Sequence, residues 1–148
     1  MMISQSAEYA LRAVVWLAGH EDGNLGTARI AEAVRVPAGY LAKVMQKLAR
    51  AGLVVSEPGR SGGFRLIRPA DEISVLEVVD AVDPIRLIEG CPLEIASHEG
   101  RLCPLHQRLD DAARSVREAF GGATIGDLLR EETTSPPLRD GNTGFTTV

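Results

Sequence analysis

The sequence predicts a mainly α-helical fold with a small β-hairpin: a winged helix-turn-helix domain plus a long C-terminal dimerisation helix. Two short helical patterns flank a proline at residue 37, a glycine-rich hairpin pattern follows, and a long helical pattern begins at residue 104. A length of 148 residues suits one domain with an appended element. We expect the winged domain in residues 1–84, a cysteine-bearing sensor loop in 85–103, the dimerisation helix with a short last helix in 104–130, and a disordered polar tail in 131–148.

The helices of the winged domain are indicated by apolar periodicity and by start and stop residues. The first runs from about Ser6 to His20 and places one apolar face together: Ala7, Ala10, Leu11, Val14, Leu17 and Ala18. The second opens at Thr27, a good N-cap residue. Pro37 disfavours helical backbone at Val36, so this helix must end before it. A tight turn between two short helices is typical of a helix-turn-helix.

The third helix, from Ala38 to Ala51, has one buried and one polar face. Its apolar residues recur at helical spacing: Leu41, Val44, Met45 and Leu48. A neighbouring face carries Tyr40, Lys43, Lys47 and Arg50. Such a face can lie in the major groove of DNA, whose width admits an α-helix.

A hairpin follows Gly52, a C-cap candidate for the third helix. Two β-prone runs, 53–56 and 64–67, flank a turn rich in proline and glycine. With Arg60 at its tip, the hairpin is typical of the wing of a winged helix, which can reach a phosphate or an adjacent minor groove.

Charge supports a polyanionic partner for this segment. Residues 29–68 hold eight of the 16 basic residues but only two of the 20 acidic ones, in a chain of net charge −4. We assign candidate DNA contacts to the polar face, the turn and the wing: Arg29, Pro37, Gly39, Tyr40, Lys43, Lys47, Arg60, Ser61 and Gly62. The alternative is a protein-interaction module with a solvated charged face.

The second half of the chain predicts a capped helix, a long loop and a dimer helix. Ser74 and Glu77 form a capping-box pattern, and Thr124 with Asp127 forms another. Pro104 opens a long helix whose apolar positions follow a near-heptad spacing: Leu105, Leu109, Ala112, Val116 and Ala119. We expect the first four of these residues to meet a second subunit, although packing against the same domain is the alternative.

The two cysteines lie in or beside the loop. Cys103 precedes the long helix at its N-terminus, where the helix dipole favours a thiolate, and His106 lies on the same face. Cys91 and these two residues make a soft-metal, cluster or redox site plausible, and two inert packed thiols are the alternative. His98 is either a further ligand or, as we favour, a solvated loop histidine. The longest early apolar run is too short to span a bilayer and has no signal-peptide pattern, so a cytoplasmic location without a membrane partner is the default.

Several short motifs, specific only in combination, indicate a family. They are Glu8-Tyr9-Ala10-Leu11-Arg12; Tyr40-Leu41 with Leu48-x-x-x-Gly52-Leu53-Val54; Gly59-x-x-Gly62-Gly63-Phe64-x-Leu66; Ile73-x-Val75-x-Glu77-Val78-Val79; and Thr124-Ile125-Gly126-Asp127-Leu128. Over about Met1 to Leu129 the chain resembles the IscR/NsrR/CymR family of bacterial dimeric winged-helix transcription regulators. This resemblance implies a homodimer on a near-palindromic double-stranded DNA operator, with the third helix in the major groove and the wing at the minor groove.

The resemblance also implies a possible cofactor. Cluster-bearing members hold a [2Fe–2S] or [4Fe–4S] centre on three loop cysteines plus a histidine matching His106 or an acidic residue matching Glu8 of the partner subunit. Cys91 and Cys103 match the outer cysteines, but Ser97 stands at the middle one. The alternatives are a cluster on Cys91, Cys103, His106 and Glu8 of the partner subunit, or a cluster-free member that senses oxidants by its thiols or binds a small ligand.

The sequence therefore predicts a sequence-specific DNA-binding transcription regulator, a repressor, acting as a homodimer. Its DNA affinity would respond to a cluster or to thiol redox state in the cysteine loop. The alternative is a cytosolic metal or redox protein whose winged helix mediates protein–protein contacts. An enzyme is not expected, because no nucleophile–base pair or carboxylate pair is legible.

Overall fold

A computed structural model describes residues 2–21, 25–60 and 62–138 and has the predicted mainly α architecture. The elements in chain order are α1 Gln5–Ala18, α2 Thr27–Val34, α3 Ala38–Arg50, β1 Val54–Glu57, β2 Gly63–Leu66, α4 Val75–Val82, α5 Pro104–Gly121 and α6 Ile125–Arg130. Short 3-10 turns lie at Ala70–Glu72 and Ala96–His98. Residues 131–138 form neither helix nor strand, and the rest of the predicted tail lies outside the described residues.

The core forms around α1, which packs against α2, α3, α4 and α6. Fully buried side chains come from all of these helices and from the segment before α4: Leu17, Ile30, Leu41, Met45, Leu48, Ile73, Val78 and Ile125. The stripe predicted for α3 is confirmed, because Leu41, Val44, Met45 and Leu48 are all buried. Burial of this stripe fixes which face of α3 points away from the protein.

The turn between α2 and α3 is built by backbone geometry. Gly26, not Thr27, is the N-cap of α2, so the threonine is the first helical residue and its side chain makes no capping bond. Arg35 ends α2 in the left-handed conformation, with φ of 55°. Pro37 is then the N-cap of α3, and its carbonyl accepts the amides of Tyr40 and Leu41.

The wing is a two-stranded antiparallel hairpin. Its register pairs Val54 with Leu66 and Glu57 with Gly63. Leu25 adds an isolated bridge to Phe64, with two backbone hydrogen bonds of 2.8 and 3.2 Å that hold the wing to the segment before α2.

The last helices have different surroundings. Both predicted capping boxes are present, at the start of α4 and at the start of α6. Ile125 of α6 is fully buried, and its amide bonds the carbonyl of Ile73, so α6 returns to the core of the winged domain. In α5, by contrast, Asp110 is the only buried residue. Within the described residues, none of the helices combines the length and hydropathy that crossing a bilayer requires.

Candidate nucleic-acid interface and cysteine loop

The outer face of α3 lies directly opposite its buried stripe. Gly39, Lys43, Gln46 and Arg50 are all exposed and follow an i, i+4, i+7, i+11 spacing, so they line one side of the helix. The sequence of α3 contains no acidic residue. The helix therefore presents a continuous polar and basic face to solvent.

Tyr40 and Lys47 flank this outer face and bond to the protein itself. The hydroxyl of Tyr40 lies 2.6 Å from the Ser6 hydroxyl, and its ring meets Tyr9 edge-on with centroids 5.3 Å apart. The Lys47 ammonium donates to the carbonyl of Val82, the last residue of α4, at 3.2 Å. Both residues remain predicted DNA contacts, but each has a partner within the fold.

The basic residues of segment 29–68 fall into two groups. Lys47, Arg65 and Arg68 bond within the protein, the two arginines to Glu57 at 2.9 Å and to Glu77 at 2.6 Å. The side chains of the other five make no hydrogen bond or ion pair to any described residue: Arg29, Arg35, Lys43, Arg50 and Arg60. These five exposed cations remain available to an external anion.

The wing tip brings Arg60 to an exposed position next to a turn that needs glycine. A Cβ on Gly62 would collide with the carbonyl oxygen of Glu57, so Gly62 is required by the turn itself. Ser61, the third predicted contact of the wing, lies outside the described residues.

The predicted stripe on α5 faces solvent in the single chain. Leu105 and Leu109 expose 63% and 53% of their surface, Ala112 is exposed and Val116 is half-buried. Two large leucines one turn apart on a solvent-facing helix form an apolar strip that a partner could cover. Packing against the same domain, the alternative considered for this helix, does not bury the two leucines.

A buried aspartate and an arginine attach the loop to its neighbouring helices. Asp110 of α5 accepts the Ile88 amide at 2.8 Å and pairs with Arg114 at 2.7 Å. The Ile88 amide is the larger cause of the lowered pKa of Asp110, and the Arg114 guanidinium is the next. Arg117 of α5 reaches both Asp80 of α4 and, at 2.8 Å, the carbonyl of Ile85.

Each cysteine is paired with a histidine. The sulfur of Cys103 lies 3.2 Å from Nδ1 of His106, as the shared helix face predicted. The sulfur of Cys91 lies 3.4 Å from Nδ1 of His98, a contact that the interpretation of His98 as a solvated loop residue missed. The sequence spacing gives no signal for this contact, because it is the 3-10 turn at Ala96–His98 that places the His98 imidazole next to Cys91.

Backbone amides gather around Cys91. The amide of Ile95 is the largest cause of the lowered pKa of the Cys91 thiol, and that of Leu93 and the His98 side chain add to it. Glu94, in the left-handed conformation at φ 52°, closes the turn by donating its amide to the Cys91 carbonyl at 3.0 Å. A cleft of about 370 Å³ lies against this turn.

The arrangement does not assemble a cluster site within one chain. In the described ranges, no three histidine, cysteine, aspartate or glutamate side chains converge to hold a metal ion. The cysteines form two separate pairs with histidine, and Ser97 offers no thiolate. The residues as arranged therefore do not fit an iron–sulfur cluster, which needs its ligands to converge.

Glu8, the predicted ligand for a partner's cluster, is engaged elsewhere. Its carboxylate lies 2.7 Å from Nε of Arg12. Arg12 in turn donates to the carbonyl of Val34, the last residue of α2, at 3.1 Å. Glu8 is thus linked through Arg12 to the turn that precedes α3.

These features define a class: a winged helix-turn-helix protein with a free basic face on its third helix and an appended, partly apolar helix. Residues 3–131 match the Rrf2 family, described as "Iron-dependent Transcriptional regulator", and the chain belongs to this family of transcriptional regulators. The expected family and fold class are therefore confirmed.

Solved structures with the same fold include close matches along most of the chain. IscR of T. potens is 24% identical, with 88% of this chain and 87% of that chain covered and a TM-score of 0.71. CymR (YrzC), the global cysteine regulator of B. subtilis, is 25% identical, with 86% and 95% covered and a TM-score of 0.71. The oxidized form of Staphylococcus aureus CymR is 28% identical, with 90% and 100% covered and a TM-score of 0.70.

Proposed function

We propose that this protein is a sequence-specific, double-stranded-DNA-binding transcription repressor that acts as a cytoplasmic homodimer. The observation that carries the proposal is the outer face of α3, which holds the unpaired cations Lys43 and Arg50 opposite a fully buried stripe. A helix with one buried apolar face and one exposed basic face can enter the major groove without exposing apolar surface. Arg60 on the wing would contact the phosphate backbone beside it.

A second copy would be held through α5. One α3 can read only one half-site, and a two-fold dimer presents two recognition helices to a near-palindromic operator. The strip of Leu105, Leu109, Ala112 and Val116 is the surface that such a dimer would bury. Its apolar character supports an isologous interface, in which each subunit covers the same patch of the other.

The junction between α4 and the loop offers a path from the cysteine loop to the DNA. Lys47 of α3 holds the Val82 carbonyl on one side of this junction. Arg117 of α5 holds Asp80 and the Ile85 carbonyl on the other side. A rearrangement of the loop would move residues that contact the recognition helix directly.

The arrangement of the two cysteines supports sensing by thiol oxidation better than sensing by an iron–sulfur cluster. Cys91 and Cys103 are free, half-buried and each beside an imidazole, which suits reaction with an oxidant. A cluster would require the two cysteines, His106 and Glu8 of the partner subunit to converge after the Glu8–Arg12 pair opens. We therefore propose thiol redox modulation, with cluster binding as the alternative that metal analysis decides.

DNA binding is tested by gel shift with sheared genomic DNA, using wild type, Lys43→Ala and Arg60→Ala. Both variants should bind more weakly and remain folded dimers, and each lost phosphate contact should lower the salt slope by about one unit. Arg86→Ala is the matched control, since Arg86 is an exposed arginine outside the basic segment. If the wild type shifts no DNA, the protein-docking alternative replaces this proposal.

The sensor is tested on the double variant Cys91→Ala/Cys103→Ala. Hydroperoxide should change the DNA affinity of the wild type, reversibly by dithiothreitol, and should leave the double variant unchanged. Anaerobically purified wild type that is brown, with stoichiometric iron and sulfide, would favour the cluster instead. Identical DNA binding by both proteins under reducing, oxidising and iron-replete conditions would refute both forms of sensing.

A further inference from the structure

The middle of the outer face of α3 is occupied by an uncharged amide side chain. Gln46 lies seven residues after Gly39 and three after Lys43, so it sits almost two full turns along the same side of the helix. It is exposed, and the buried residues Val44, Met45 and Leu48 point the other way. Among the long polar residues of α3, it lies nearer the centre of this face than Tyr40 or Lys47.

Nothing in the described part of the chain uses the amide of Gln46. It makes no hydrogen bond there, whereas the comparable exposed Gln107 on α5 donates to Asp111 at 2.8 Å. Its neighbours one turn away are Ala42, Lys43, Ala49 and Arg50, none of which carries a carboxylate. Gln46 therefore keeps both its donor and its acceptor for an external partner.

The chemistry of this side chain differs from that of the cations around it. A glutamine amide offers one acceptor and one donor side by side, which match the N6 donor and N7 acceptor of adenine in the major groove. Lysine and arginine offer donors alone and suit guanine or phosphate. The cations can supply affinity, but they cannot select an adenine.

Building on the proposed function, we propose that Gln46 specifies one A·T base pair in each half-site of the operator. Its carbonyl oxygen would accept from adenine N6 and its amide nitrogen would donate to N7. Because residues in a helix rise about 1.5 Å each, Gln46 lies about 4.5 Å along the axis from Lys43. Base pairs stack about 3.4 Å apart, so the adenine should lie within two base pairs of the position that Lys43 faces.

The test is selection of bound sequences from a library of randomised DNA duplexes, with dimeric full-length protein under reducing conditions. Wild type, Gln46→Ala, Gln46→Glu, Lys43→Ala and the control Gln107→Ala are compared. Wild type and Gln107→Ala should enrich the same two-fold symmetric site with one Gln46-dependent adenine per half-site. Gln46→Ala should lose the preference at that position alone, and Gln46→Glu should shift it towards cytosine, whose N4 amino group donates to a carboxylate.

Binding constants on single duplexes complete the test. Replacing the adenine pair by G·C in one half-site should weaken wild-type binding roughly 10-fold and leave Gln46→Ala unaffected. If wild type enriches a site and both Gln46 variants keep every base preference, the role of Gln46 is refuted while DNA binding stands. If wild type enriches no sequence, the proposed function fails first.

Discussion

Replacing Leu109 by aspartate should separate the dimer into monomers. Leu109 is 53% exposed on the strip of α5, so about half of its side chain remains to be covered by a partner. Full burial of a leucine contributes about 1.5–3 kcal/mol, so half burial contributes about 1 kcal/mol, or about 2 kcal/mol for the two copies in a dimer. Each buried, unpaired carboxylate would add a penalty of at least about 1 kcal/mol.

The total loss is therefore about 4 kcal/mol, which raises the dimer dissociation constant roughly 700-fold. Sedimentation velocity at micromolar concentration should show a wild-type dimer and a Leu109→Asp monomer with weak DNA binding, because linkage of the two half-sites is lost. Ile67→Asp is the matched control, since Ile67 is 49% exposed but lies outside α5. A monomeric wild type, or a Leu109→Asp chain as dimeric as this control, would refute the interface.

Three further substitutions test other parts of the account. Gly39→Ala should stabilise the fold by about 0.5 kcal/mol in thermal melts, because an added Cβ meets nothing within 4 Å and alanine favours helices. The same change should weaken operator binding in gel shifts, because the added methyl group would lie between the start of α3 and the DNA. Unchanged affinity would contradict the proposed placement of α3 in the major groove. In a Cys103→Ala chain, the alkylation rate of Cys91 should level off at a lower pH than that of an ordinary thiol, because the lowered pKa of Cys91 preserves its thiolate at lower pH. A rate profile centred at the ordinary thiol pKa would contradict the stabilisation of this thiolate by the backbone amides. Asp110 has a lowered pKa in the folded state, so its stabilising effect is complete above its unfolded pKa and disappears as pH falls through the folded pKa. The free energies of unfolding of wild type and Asp110→Asn, measured over a series of pH values, should therefore converge at low pH. A difference that stays constant with pH would contradict this.

Capping motifs and apolar periodicity predicted the helices well, because both depend on residues that are close together in the sequence. The capping boxes at Ser74 and Thr124 each begin a helix, since both partners lie within one turn of the chain. Thr27 shows the limit of the rule: one residue earlier, Gly26 takes the extended backbone that an N-cap requires. The apolar period of α3 predicted its buried face without error, because a strong stripe leaves one way to pack the helix.

The partners of individual side chains could not be predicted, because tertiary contacts decide them. Lys47 has the charge and spacing of a DNA contact, but the end of α4 places the Val82 carbonyl within its reach. Charge gives no signal for the neutral Gln46, whereas burial shows that this residue lies on the side of the helix that faces outwards. His98 approaches Cys91 only through a short turn that has no periodic signature.

The proposed function requires that two copies of this chain read one DNA site by its sequence. The most direct measurement is the mass, by sedimentation, of wild-type protein with a selected duplex and with a scrambled duplex of equal composition at physiological salt. We predict a complex of two chains on the selected duplex and much weaker binding to the scrambled one. Equal binding to both duplexes, or a stable complex of one chain per duplex, would contradict the account.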